Sequence, residues 1–316
     1  MATAKATEAM LEPAYVTLHR SGELKRRANT LWGMMDQCRL CPRECGSKRL
    51  SGVAGKCGAT AILEIASYHP HFGEEEPLVR GGGSGTIFFC HCAMQCVFCQ
   101  NWDISHAGEG NPATIGDLAD MMLDLQAMGC RNINLVTPTH YVADILHALD
   151  IATEKGLRLP LVYNTSGWER VEILALLDGV VDIYLPDFKF WDAKTAARLT
   201  AEVESYPDVV TAAILEMHRQ VGVAKPGWDG LIRRGLMIRH LVLPNTAAGT
   251  REILEWIAHN LPRDTYVNLM SQYRPAHEAT EHVGIARRLR REEYVQAVQW
   301  AEGMGLTNLE IQGMPG

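Results

Sequence analysis

Short apolar runs and longer amphipathic stretches alternate along the chain from Thr86 almost to its end. The runs are "TIFF" (86–89), "INLVTP" (133–138), "LVYNTS" (161–166), "VDIYLP" (181–186), "MIRHLVLP" (237–244), "YVNLMSQ" (266–272) and "LEIQ" (309–312). Their length and their β-branched and aromatic content predict strands. Between them the period changes to that of a helix. "IGDLADMMLDLQAMG" (115–129) sets Leu118, Met121, Met122, Leu125 and Met128 on one face, with Gly129 as a stop. That methionine stripe reads as core packing. "YVADILHALDIATEKG" (141–156) stops in the same way at Gly156, and helices are also expected over 251–261 and 291–305. The longest interruption is 190–235, with two helical runs and a turn-rich "KPGWDG".

Strand–helix alternation over this length predicts an α/β fold: a partial (β/α)6-type barrel of parallel strands with an N-terminal cysteine-rich extension. The expected division is 1–80 for the helical and cysteine-rich extension and 81–316 for the barrel core. No G-x-G-x-x-G opens a helix after the first strand, which argues against a dinucleotide-binding sheet. "GGGSGT" (81–86) precedes its strand and reads as a flexible or close-packed backbone turn.

Composition narrows the function classes. The chain has 316 residues, 47% of them hydrophobic, and carries a formal net charge of −7. This balance offers no footprint for nucleic acid or an anionic membrane. The basic run "RRLRREE" (287–293) is compensated by its own glutamates and reads as the solvated start of a helix. No long apolar stretch and no export pattern is present, so a cytoplasmic location is expected. In a reducing compartment nine cysteines in spaced groups read as metal ligands or reactive thiols, not as disulfides.

In a β/α barrel the site lies at the carboxyl ends of the strands. Here those ends are polar where the strand bodies are not. They carry Thr137, Thr139 and His140; Asn164, Thr165 and Ser166; Asp187 and Lys189; Arg239 and His240; and Ser271 and Gln272. Any one of these groups alone is an ordinary turn or cap. Six elements delivering polar or sulfur groups to one rim predict a site.

The first strand runs into "CHCAMQCVFCQN" (90–101). Cys92, Cys96 and Cys99 have the spacing of three thiolates around one iron–sulfur cube, and soft thiolates suit that chemistry. Zinc competes, although structural zinc sites usually present two C-x-x-C pairs and this loop has one. Cys90 reads as a small buried hydrophobe or a thiol near the cluster, with a fourth-ligand role as the minority alternative.

The C-x3-C-x-aromatic-C loop after the first strand resembles that of the radical S-adenosylmethionine superfamily. "GSGTIFF", "CVFCQN", "NINLVTPTH", "VYNTSGWE", "VDIYLPDFKF" and "IRHLVLPN" together resemble its pyruvate formate-lyase-activating-enzyme-like branch, from about Cys38 onward. The resemblance implies an oxidoreductase with a 4Fe–4S cluster on Cys92, Cys96 and Cys99, one iron being left open for S-adenosylmethionine. One-electron cleavage would then give a 5′-deoxyadenosyl radical that abstracts hydrogen from a substrate, a protein glycine being one target. The resemblance places Phe98 and Gln100 on the adenine side and Asp187 and Lys189 near the ribose and carboxylate. Thr137, Thr139 and His140 replace the Gly-Gly-Glu run that receives the amino group in relatives. Asn164, Ser166, Arg239 and Gln272 are candidates for the remaining polar atoms. An electron donor such as flavodoxin or ferredoxin is implied as a partner.

Cys38, Cys41, Cys45 and Cys57 form a second set, for which a structural zinc and an auxiliary iron–sulfur cluster compete. "YHPHFGEEEPL" (68–78) reads either as a substrate-contact loop or as a solvated acidic turn, and Cys130 as core. The alternative from another class is a non-catalytic iron–sulfur electron carrier or metal-binding scaffold, with Cys90 completing the coordination. It leaves the polar strand ends without a purpose.

Overall fold

The computed structural model describes residues 12–313. The strands are β1 (Leu63–His71), β2 (Ser84–Phe89), β3 (Asn111–Ala113), β4 (Ile133–Val136), β5 (Leu161–Thr165), β6 (Ile183–Pro186), β7 (Gly235–Leu241), β8 (Tyr266–Met270) and β9 (Leu309–Ile311). They form one sheet in the order β3-β1-β2-β4-β5-β6-β7-β8-β9. From β2 through β9 the pairing is parallel, which requires a crossover between neighbours. All seven strands expected from the pattern are present. Among the described residues β3 and β9 are not paired with each other, so the barrel is open.

β1 and β3 are additions to that expectation, and both are antiparallel. Residues 68–71 are therefore strand, not loop, with Tyr68 paired to Ile87 and His69 to Thr86. The acidic turn that follows is not solvated throughout, because Glu75 is buried. The expected boundary at residue 80 falls between β1 and β2, which are paired strands.

The helices lie where the 3.6-residue period placed them. Ile115–Ala127 begins with a reciprocal Thr114–Asp117 capping box and stops at Gly129, whose φ is +87°. Its Leu118, Met122 and Leu125 are buried, whereas Met128 lies past the buried face and is 57% exposed. Val142–Glu154 is buried on most sides. It lies beneath the helices Ala14–Arg20 and Glu23–Gly33, whose apolar residues join the same core cluster. The expected polar helical start includes residues 1–11, which lie outside the described residues. The 190–235 interruption contains the helices Ala193–Leu199 and Tyr206–Val221.

Two glycines of "GGGSGT" permit close backbone approach. A Cβ on Gly82 would sit 2.3 Å from the Gly129 carbonyl oxygen, and one on Gly85 would sit 2.7 Å from that of Asn132. The turn thereby seats β2 against the start of β4 and fixes where the cysteine loop emerges.

Candidate functional site

The cysteine loop leaves β2 through two left-handed non-glycine residues, His91 (φ +71°) and Gln95 (φ +45°). This turn faces its sulfurs inward. Cys92 Sγ accepts from the Met94 backbone N–H at 3.4 Å, and Cys99 Sγ lies 3.1 Å from Ser105 Oγ. All three thiols line one cavity of about 180 Å³, together with Thr137, Asn164, Ser166, Asp187, Lys189 and Arg239. Four strand exits therefore meet the cysteine loop.

Four of these polar residues form one network. Arg239 donates through Nε to Asp187 Oδ1 at 2.8 Å and through Nη2 to Asn164 Oδ1 at 2.6 Å. Lys189 Nζ donates to Asp187 Oδ2 at 2.5 Å. Burial pushes the Asp187 carboxyl up, but Arg239 and Lys189 outweigh it and hold the group below the usual carboxylate range. Burial pushes the Cys96 and Cys92 thiols up, and the Lys189 ammonium opposes it.

Thr137 occupies the left-handed region at φ +58°, an uncommon conformation for a β-branched residue, at the lip of the cavity. Gln100 and Gln272 line a second, adjoining cavity, and Gln100 Nε2 donates to the Gln272 carbonyl at 3.5 Å. Phe98 stands edge-on to Phe190 and Tyr273 and lines a small crevice with Asp187 and Lys189.

Thr139 and His140 line neither of the two cavities. Thr139 Oγ1 donates to buried Glu169 at 2.6 Å. His140 Nε2 donates to the Cys90 carbonyl at 2.7 Å, and burial, then Arg49, hold the imidazole neutral with a pKa pushed down to about 3. His240 is likewise internal, donating from Nδ1 to the Phe188 carbonyl and accepting from Thr250. Cys90 faces the antiparallel edge. Its sulfur packs on Gly110, where an added Cβ would lie 2.2 Å away. Cys130 is buried in the core.

Cys38, Cys41, Cys45 and Cys57 are neighbours in the segment that precedes β1. A Cβ on Gly55 would meet Cys57 Sγ at 3.2 Å and Cys45 Sγ at 3.7 Å. Burial pushes the Cys41 thiol up to about 12, with Cys57 and Cys38 adding to it. Two arginines bind this segment to the rest. Arg43 donates to the Ala93 carbonyl at 2.8 Å, and fully buried Arg49 donates to the carbonyls of Thr60 and His140.

Among the described residues no group of three or more His, Cys, Asp or Glu is drawn together as a set for a single metal ion. The donor chemistry suits a 4Fe–4S cluster: three soft thiols face one cavity beside a partly buried ammonium, and the one carboxylate of that lining, Asp187, is already paired with Lys189 and Arg239. Cys92, Cys96 and Cys99 thus fit such a group, and the thiols of Cys38, Cys41, Cys45 and Cys57 are donors suitable for zinc or a cluster.

The second cavity, of about 520 Å³, shares Phe88, Asn101, Val136, Asn164 and Arg239 with the first. Its Asn268, Glu310 and Gln312 were not singled out from the sequence. The signal for Asn268 was present as a polar residue within the otherwise apolar "YVNLM". No cavity-facing signal marks Glu310.

No family model matches the chain. Parts of several solved structures overlay on it. SuiB of Streptococcus suis bound to S-adenosylmethionine does so at 16% identity and a TM-score of 0.47, covering 70% of this chain and 48% of that one. A radical SAM methyltransferase of Sphaerobacter thermophilus does so at 16% identity and a TM-score of 0.48, covering 72% and 65%. The chain thus spans about half the length of SuiB. In sequence it is 36% identical over 286 residues to the uncharacterized protein MJ0674 of Methanocaldococcus jannaschii, covering 85% of this chain and 75% of that protein. At that identity and coverage, the chain belongs to the same family as MJ0674.

Proposed function

We propose that the chain is a radical S-adenosylmethionine enzyme of the activating-enzyme-like kind. The observation that carries this reading is the single cavity shared by Cys92, Cys96 and Cys99 with the Asp187–Lys189–Arg239 network. When bound, a 4Fe–4S cluster on the three cysteines and S-adenosylmethionine would supply one-electron cleavage of a sulfonium bond, giving methionine and a 5′-deoxyadenosyl radical.

The chain's own residues bind and orient. Lys189 carries a buried positive charge next to the thiols and is placed to pair a carboxylate. Asp187, kept ionised by its two cationic neighbours, accepts hydrogen bonds from hydroxyl or ammonium groups. Arg239 fixes the Asp187 and Asn164 side chains, so that both acceptors are set before a ligand arrives. Reduction calls for a donor such as flavodoxin or ferredoxin. The second thiol set is a candidate for zinc or an auxiliary cluster.

The location of Cys90 argues against the electron-carrier alternative, because its sulfur packs on Gly110 away from the cavity. A protein glycine as target needs an open groove. The adjoining cavity of about 520 Å³ has the size of a small-molecule site, which favours a small substrate. Anaerobic reconstitution, reduction with dithionite and quantification of 5′-deoxyadenosine test the proposal. The product is expected from the reconstituted wild type and not from Cys96→Ala; equal amounts from both would sink it.

A further inference from the structure

The second cavity has a chemistry of its own. Its lining carries three carboxylates, Glu74, Glu75 and Glu310, against one guanidinium, Arg239. That guanidinium is already engaged by Asp187 and Asn164, and lies 3.6 Å from Glu74. Arg239 also acts on Glu75 through space, without a hydrogen bond to it, whereas the charged neighbours that act on Glu310 are carboxylates, Glu75 and Glu76.

The hydrogen-bond inventory points the same way. Asn268 Nδ2 donates to Glu75 Oε1 at 3.0 Å, and Tyr266 donates its hydroxyl to Glu310. Among the described residues Glu75 Oε2 and Asn268 Oδ1 are left without a partner, and Glu75 and Asn268 are 3% and 2% exposed. Both unpartnered atoms are acceptors. A buried carboxylate oxygen and a buried amide oxygen side by side are costly unless a donor, preferably a charged one, meets them. A protonated amine supplies the charge and three N–H donors at once. Burial and neighbouring carboxylates also push Glu310 up to about 7, as expected where negative charge is uncompensated.

We propose that this cavity takes a small amine-bearing substrate, its ammonium held by Glu75 and Asn268 and flanked by Glu310. The shared wall of Phe88, Asn164 and Arg239 then sets the rest of the molecule toward the cysteine cavity. That the occupant is the substrate rests on the radical-enzyme reading; that the cavity selects an organic cation does not.

The test is a ligand-observed NMR titration of the full chain with a matched set: 1,4-diaminobutane, butane-1,4-diol and succinate. No reduced cluster is needed, so failure here and failure of the radical chemistry are separately visible. The expected result is saturable binding of the diamine alone, weakened at least about tenfold in Glu75→Gln and in Glu310→Gln. Glu310→Gln changes a partly exposed residue and keeps the test open if the buried Glu75 variant does not fold. Tighter binding of succinate, equal binding of the diol, unchanged binding in the folded variants, or no saturation by the diamine at about 10 mM would each overturn the proposal.

Discussion

Arg239 Nε donates to Asp187 Oδ1 at 2.8 Å across the neighbouring exits of β7 and β6; both side chains line the cysteine cavity, only about 15% exposed, and Arg239 also lines the second cavity. A surface pair of this kind would contribute little. Here the aspartate also takes the Lys189 ammonium, so the pair sets the charge of the floor on which any cofactor would rest. Removing one partner of a buried ion pair leaves the other charge uncompensated and typically costs about 3–5 kcal/mol. Arg239→Ala is expected to lower the urea midpoint accordingly. Arg239→Lys can replace the charge but not the fork that reaches Asn164 and Asp187 together. It is expected to fold and to bind S-adenosylmethionine at least about tenfold more weakly in equilibrium dialysis of the reconstituted protein.

Iron content separates the cysteines by location. Alanine at Cys92, Cys96 or Cys99 removes one of three thiols facing the same cavity. Each variant is expected to lose most of the iron and sulfide attributable to that site after reconstitution. Cys90→Ala is expected to retain the wild-type load, because its sulfur packs on Gly110. Chemical iron and sulfide analysis reads both, with variants of the second thiol set as the control for iron bound there.

The Cys90–Gly110 contact makes a separate prediction. A methyl group at 110 would lie 2.2 Å from Cys90 Sγ and 2.8 Å from the Ile65 carbonyl oxygen. Gly110→Ala is expected to destabilise by about 1–3 kcal/mol through overpacking. Combined with Cys90→Ala, part of that loss should return, since the nearer of the two obstacles has gone. A double-mutant cycle by urea unfolding would show a favourable coupling of about 0.5 kcal/mol or more; strict additivity would contradict the packing.

Asp182 gives the pH dependence of stability a sign. Burial raises its carboxyl from 3.8 to about 6, despite hydrogen bonds from the backbone N–H groups of Leu161 and Ala14. The folded chain therefore holds this proton more tightly than the unfolded chain. The group's stabilising contribution is full below pH 3.8, declines as pH rises toward about 6, and is lost above it. The decline amounts to about 3 kcal/mol. Urea unfolding across this range should show Asp182→Asn flattening the profile relative to wild type; parallel profiles would contradict the assignment.

The chain displays its parallel strands openly because their bodies are buried on both faces and read as continuous apolar runs; β5, for example, is buried at every residue. β1 was hidden for a physical reason. Only Leu63 and Ile65 of its nine residues are fully buried, and Pro70 interrupts its pattern. That proline is tolerated because β3 pairs only with Leu63–Ile65 and leaves the rest of that edge open. The cavity residues divide similarly. Asp187, Lys189 and Arg239 stand out at strand exits, where position alone indicates a role. Thr139 and His140 occupy the same kind of exit but turn inward to Glu169 and Cys90, which no spacing rule reveals. Glu310 was invisible because its environment is assembled by Glu75 and Tyr266, far away in the chain.

Electron paramagnetic resonance of the reconstituted, dithionite-reduced protein, recorded with and without S-adenosylmethionine, tests the central claim most directly. A cluster held by Cys92, Cys96 and Cys99 leaves one iron open, so the account predicts a signal whose g-values shift on addition. A fully loaded wild type whose signal does not respond, with the same silence in Cys90→Ala, would contradict it.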